Sequence, residues 1–342
     1  MKPPTNASHD FIFAKLHGMW ANAVRGDTLQ RLLKSTTVEN LQRELTALGF
    51  ANTRRDGFHK ELIEREMTIL NAIRGQLDRR TAAFYDAIGA RVYYENLKTI
   101  LNYRFFPERE ADITSLLVEL PWQPAFPVQD LLKAKDLEDF QRRLPMANEK
   151  DAEPVATIIQ ELNDSLDIMA AECAIDQLYY ANTLARARAT TLDIRGELSR
   201  LVRREIDIVN LCMLLRNVRT YHLLPDRLHK LWIPDGDALP VAALDELAAT
   251  QSHPAVVKNL PHPFQALLEP FTTADLYVSE NALWNHLFQD AMTMFRNFDR
   301  ASLSIAAYPF LLRSETLNLG RVFEGVHFGI PSRDMRDMMI GA

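Results

Sequence analysis

Apolar residues recur at three- and four-residue spacing along most of this chain, which predicts helices almost from end to end. Between Phe11 and Leu33 the positions Phe13, Leu16, Met19, Trp20, Val24, Leu29, Leu32 and Leu33 form such a face, interrupted near Gly26-Asp27. Thr36-x-x-Glu39 has the form of a capping box, in which hydroxyl and carboxylate satisfy free helix N–H groups. It predicts a second helix to about Leu48, stopped by Gly49. From His59 to about Phe105 the pattern predicts nearly unbroken helix, with Leu62, Met67, Leu70, Ile73 and Leu77 on one stripe, a break at Gly89, and an end at Pro107. Asp56, three residues before His59, has the character of an N-cap.

Pro107, Pro121, Pro124 and Pro127 mark a crossing between units. Helical pattern resumes over Val128–Leu144, Asp151–Met169 and 192–221, with the run AIDQLYYANTLARARA between the last two. Prolines at 225, 234 and 240, and then at 254, 261, 263 and 270, mark two further loop regions. Helix is expected again over Thr273–Phe298 and from Pro309 to His327, then in a short Met-rich tail with Ser332 as N-cap. Strand-like alternation bounded by turns is nearly absent, so the fold class expected is all-α.

One helix recurs. Tyr93-Tyr94-Glu95-Asn96-Leu97 aligns with Asp207-Ile208-Val209-Asn210-Leu211 and with Glu315-Thr316-Leu317-Asn318-Leu319. Two of the three read acid-x-x-Asn-Leu, with Tyr93 in the acid position of the first. Each continues apolar four and five residues past the asparagine, at Ile100/Leu101, Leu214/Leu215 and Val322/Phe323. The asparagines are 114 and 108 residues apart, and a third of the 342-residue chain is 114. A fixed period outweighs any single motif. It implies three helical units, 1–106, 107–222 and 223–342. Acid and asparagine three apart share a helix face. The asparagine also lies on the apolar stripe, where an unpaired amide costs about 1–3 kcal/mol. Asn96, Leu97, Asp207, Asn210, Leu211, Glu315, Asn318 and Leu319 are therefore read as a structural signature that fixes how each helix docks.

Composition narrows the functional classes. The chain is 47% hydrophobic and 25% charged, as in ordinary folded proteins, and its 12 glycines are too few for a glycine-rich dinucleotide fold. A net charge of −6 with no basic run beyond arginine pairs argues against a nucleic-acid partner. Cys173 and Cys212 sit in apolar helical contexts and are expected to be core residues in a reducing compartment. The opening residues lack the apolar stretch of a signal peptide, and no apolar run is long enough to span a bilayer. No Walker, His-Glu-x-x-His, Cys-x-x-Cys, Glu-x-x-His or Gly-x-Ser-x-Gly pattern occurs, so no catalytic site, metal or cofactor is expected. Asp56, before His59, is read as a helix cap, Asp226 and His229 as surface polar residues of a Pro-bounded loop, and His286/Asp290 as a single pair on a helix and not a metal site. Trp20, Trp122, Trp232 and Trp284 are expected to anchor core or inter-unit packing. Trp122 and Trp232, in Pro-rich loops, would be interface hot spots if exposed.

The C-terminal run AAYPFLLRSETLNLGRVFEGVHFGIPSRDMRDMM resembles the end of the V-type ATPase C-subunit family, whose eukaryotic members are the d subunits. The likeness lies in Ser314-Glu315, Asn318-Leu319-Gly320-Arg321-Val322, Gly325 and Gly329-Ile330-Pro331. EIDIVNLCMLLR resembles a second family helix at Asp207, Asn210, Leu211, Leu215 and Arg216. Glu172, Asp176, Tyr179 and Tyr180 match a third segment, and FIFAKLHGMWANAVRGDTLQRLLKSTTVENL resembles the opening one. The sequence departs from the family pattern at Phe13, Lys15, His17, Tyr93, Gly320 and His327. The resemblance implies a funnel of three pseudo-threefold units, present once per complex. Its narrow pole would rest on the proteolipid rotor ring and its mouth would receive the central shaft subunits, coupling them during proton or sodium transport. It implies a non-catalytic, cytoplasmic component, peripheral on the membrane, with no bilayer insertion of its own. The alternative is a helical adaptor or scaffold unrelated to ATPases, expected as an open solenoid.

Overall fold

A computed structural model describes residues 8–55, 57–106, 113–191, 193–250 and 252–341. Among the described residues there are helices and no strands. The first group comprises α1 (His9–Ala21), α2 (Gly26–Leu33), α3 (Val38–Ala47), α4 (Phe58–Arg74), α5 (Arg79–Gly89) and α6 (Arg91–Phe105). Next come α7 (Ile113–Leu116), α8 (Val128–Leu132), α9 (Leu137–Arg143), α10 (Ala152–Ser165), α11 (Ile168–Ala189) and α12 (Arg195–Arg216). The last are α13 (Pro225–His229), α14 (Val241–Ala248), α15 (His253–Asn259), α16 (Phe264–Leu268), α17 (Leu276–Phe295), α18 (Ala301–His327) and α19 (Ser332–Asp337).

Local chemistry sets several boundaries differently from expectation. Thr37, not Thr36, caps α3, its hydroxyl accepting from the Asn40 N–H. Gly49, at φ +88°, closes that helix in the left-handed region that glycine tolerates. The expected continuous helix from His59 divides at residues 75–78, because Asp78 caps a new helix by accepting from the N–H groups of Arg80 and Thr81. Gly57 occupies the N-cap of α4, and Asp56 lies outside the described residues. Val128–Leu144 is likewise split, with Asp136 capping α9. Segment 192–221 leaves the α-helix at Arg216 and finishes as a π turn over 217–221. Ser332 is the first residue of α19 and Pro331 its cap, so the expected serine cap is not made.

The largest difference is at Pro309, which lies inside α18 and does not begin it. A proline in mid-helix removes the N–H that would bond the carbonyl four residues earlier. Here that carbonyl, Ile305 O, accepts from the Tyr85 hydroxyl at 2.7 Å. A side chain from a distant helix supplies the missing bond, so the helix runs on through 27 residues.

Six segments pack in a closed cycle. α4 lies against α5, α11 against α12, and α17 against α18. Between these pairs, α11 packs on α5 and α6, α17 on α12, and α4 on α18. α1 packs along α18. Most of the apolar core is one continuous cluster. A second, formed by α2, α3, α19 and the far half of α18, includes Phe58 stacked on Phe323 with ring centroids 4.2 Å apart.

Candidate functional site

The three signature asparagines are buried, on α6, α12 and α18. Each turns both ends of its amide onto one backbone residue. Asn96 donates to Val118 O at 2.8 Å and accepts from Val118 N at 3.1 Å. Asn210 donates to Ile233 O at 2.8 Å and accepts from Ile233 N at 2.9 Å. Asn318 does the same with Ile340, at 2.8 Å in both directions. The clamped residues lie 22, 23 and 22 positions downstream. The asparagine amide carries a donor and an acceptor side by side at this reach. Each clamp thus pins an apolar loop residue to the helix and satisfies backbone groups that water cannot reach. Leu97, Leu211 and Leu319, next to the asparagines, are buried in the core.

The acid position also holds backbone, by a different device each time. Asp207 accepts from the N–H groups of Asp237, Ala238 and Leu239 at 3.1, 2.8 and 3.2 Å. Burial pushes its carboxyl up to about 6, against those three donors, which favour the ionised form. The loop passes so close that a Cβ on Gly236 would stand 2.1 Å from Asp207 Oδ1, which makes glycine obligatory there. Glu315 accepts from Val24 N at 2.7 Å, and burial raises its pKa. Tyr93, standing in for the acid, donates to Pro145 O at 2.9 Å.

A charged belt went unnoticed in the sequence. Five residues before each asparagine stand Arg91, Glu205 and Arg313. Arg313 bonds Glu205, which also accepts from the Tyr180 hydroxyl at 3.2 Å. Arg91 pairs with buried Glu66 at 3.2 Å. Burial alone would lower the pKa of Arg313, but the Glu205 carboxylate and its neighbours outweigh it and hold the guanidinium charged. Its other face lies over the Trp284 ring, 5.5 Å from the centroid. Lys98 bridges Glu95 and Asp176 at 2.9 Å each. The signal was available: a charge at one repeat-equivalent position in three otherwise apolar stripes.

The remaining sequence candidates fall in ordinary places. Trp232 is 2% exposed, with its indole N–H donating to Asp245, so it offers a partner no surface; Trp122 is 41% exposed. Both cysteines are buried and unbonded, and burial pushes the Cys173 thiol up to about 12. His229 bonds Asp245 and not Asp226, and His286 stands 3.8 Å from Asp290, which pairs with Arg204. Among the described residues no three His, Cys, Asp or Glu side chains are grouped to hold a metal. Among them, too, no helix is long and apolar enough to cross a membrane.

The model of the ATP synthase (C/AC39) subunit family matches residues 12–338. The chain belongs to that family. The match runs through all three asparagine helices, so the C/AC39 pattern spans the whole repeat. The V-type resemblance seen in the segments around Asp207, Asn210, Glu315 and Asn318 is the same family, and it makes the chain a rotary-ATPase subunit. No curated protein matches the chain.

Proposed function

We propose that this C/AC39 chain is the non-catalytic coupling subunit of a V-type ATPase, joining the proteolipid rotor ring to the central shaft. In this reading the units 1–106, 107–222 and 223–342 close into a pseudo-threefold funnel, present once per complex and held at the membrane by the ring. The observation that carries it is the return of α18 onto α4. In the alternative, an open adaptor solenoid, the last unit does not meet the first.

The seams between units support closure residue by residue. Six positions past each asparagine, a polar side chain faces the first helix of the next pair. Asn102 reaches Glu172, Arg216 grips Glu280 at 2.6 and 2.9 Å, and Glu324 bonds His59 at 2.7 Å. Two positions past the asparagine, Lys98 meets Asp176 on α11, and Gly320 lies against Leu62 on α4. A part that transmits torque must not open under load, and a closed cycle of long packed helices resists opening better than a stack with free ends.

The test is recovery of the tagged chain from solubilised membranes of its own source, with subunit identification. Proteolipid ring and shaft subunits with one copy of this chain are expected. Recovery of the chain alone, or with unrelated soluble proteins, overturns the reading in favour of the scaffold.

A further inference from the structure

Where α18 returns to the first helices, the packing leaves a cavity of about 250 Å³ between α1, α4 and α18. Each helix turns one face to it. On α18 that face carries Tyr308 and, two turns on, Glu315; on α4 it carries Glu66. α1 ends here, with Met19 in its last turn and Asn22 as its cap.

The cavity is short of positive charge. Its lining holds two carboxylates, Glu66 and Glu315, and one guanidinium, Arg65, formally −1. Glu66 is 2% exposed; one of its oxygens accepts from Arg91, and the other has no hydrogen-bond partner among the described residues. Glu315 accepts from Val24 N and makes no ion pair with any described residue. The nearby cations are turned elsewhere. Arg65 lies over the Phe50 ring, 4.6 Å from its centroid, and Arg25 donates to Trp20 O at 3.0 Å. No basic residue stands in the last turn of α1, so the negative end of that helix dipole is unopposed. Burial raises the Glu315 pKa and the Glu66 charge adds to it, so a cation beside them is favoured.

The geometry points to a binding site for a small primary ammonium ion with an apolar body, held by Glu315, Tyr308 and Asn22 under the charge of Glu66. An ammonium group brings three donors and no acceptor. Three acceptors are on offer: the second Glu315 oxygen, the Tyr308 hydroxyl, which bonds no described residue, and the Asn22 carbonyl, whose amide nitrogen is engaged by Gly18 O at 2.9 Å. Leu62, Leu312 and Leu319 form the apolar walls that take the rest of the molecule. A divalent metal ion takes about six or more oxygen ligands, which such walls do not supply. An anion would meet two carboxylates. A bound amine would touch both sides of the seam at which the cycle closes, and so tighten it. The inference needs that closure and not the coupling role.

The test is calorimetric titration of the full chain at low salt with n-butylammonium, cyclohexylammonium and benzylammonium chloride, with benzyl alcohol as the neutral counterpart. At least one amine is expected to bind one-to-one, about tenfold or more tighter than the alcohol, and to raise the melting temperature. Glu315→Gln, which keeps an acceptor for Val24, is expected to weaken that amine about tenfold, and Tyr308→Phe several-fold. Glu153→Gln, an exposed carboxylate on α10, is expected to change nothing. In the wild type, the NMR signal of the Val24 amide, held by Glu315, is expected to shift as the amine saturates, a reading that needs no variant. No amine binding above the alcohol overturns the proposal. So does amine binding that leaves the Val24 signal in place, or that folded Glu315→Gln and Tyr308→Phe chains retain in full.

Discussion

Replacing Asn210 by leucine isolates what one amide clamp does. The side chains share heavy-atom count and branching, so the shape is largely conserved although leucine is bulkier, and the site is 1% exposed, so water cannot replace the amide. The change deletes both bonds to Ile233 and leaves its N–H and C=O buried without partners. Each orphaned group costs about 1–3 kcal/mol, and the added apolar burial returns part of this. The expected net loss is about 3 kcal/mol, roughly two orders of magnitude in the folding equilibrium. Asn210→Asp separates the two bonds. It keeps an acceptor for Ile233 N but sets an anion against Ile233 O, so it should be at least as damaging despite its near-identical shape. Urea unfolding followed by circular dichroism gives the stability change, with the slope checked for constancy. Hydrogen exchange at the Ile233 amide reports the clamp itself. A loss below about 1 kcal/mol with Ile233 protection unchanged would refute the argument that the amide holds this loop.

Three further outcomes follow from the site. Glu205→Met or Arg313→Met alone should cost about 3–5 kcal/mol in denaturant unfolding by stranding the partner's charge in the interior, and combining the two should cost less than either single change. Strict additivity would mean the pair is not coupled. Tyr85→Phe removes the bond that replaces the one Pro309 cannot make to Ile305 O, and should lower stability by about 1–3 kcal/mol, read as a lower melting temperature. Asp207, at about 6, binds its proton more tightly in the folded chain than in the unfolded one. Its contribution is therefore full below about pH 4 and lost as pH rises through 6, a swing of about 3 kcal/mol. Asp207→Asn should flatten the stability curve between those values by about one proton, and an unchanged slope would assign the pH dependence elsewhere.

The sequence announced the helices and the three asparagines because both are carried by local spacing. It could not announce what the asparagines hold. Val118, Ile233 and Ile340 are engaged through their backbone, which is the same in every residue, so no side-chain pattern marks them. Pro309 misled for a related reason: a local rule ends a helix there, and the hydroxyl that rescues it comes from Tyr85, 220 residues before Ile305. The helix divisions at Asp78 and Asp136 were legible as caps but were masked by apolar residues that kept helical spacing across the breaks. Trp232 in a Pro-rich loop gave no hint that its ring faces inward. The charged belt was the one feature within reach, since Arg91, Glu205 and Arg313 share a repeat position, but Glu205 and Arg313 are partners across 108 residues and only the fold brings them together.

That pairing bears on why the three units are one molecule. Around an assembly of identical subunits, every copy brings the same residue to an equivalent position. A position buried near its own counterparts would then be all glutamate or all arginine, like charges facing one another in a poorly solvated interior. Covalent fusion removes that restriction, because each copy can mutate by itself. Glu205 and Arg313 occupy matching places in their helices and carry opposite signs, an attraction open to a single chain with divergent segments and closed to a homotrimer of either segment.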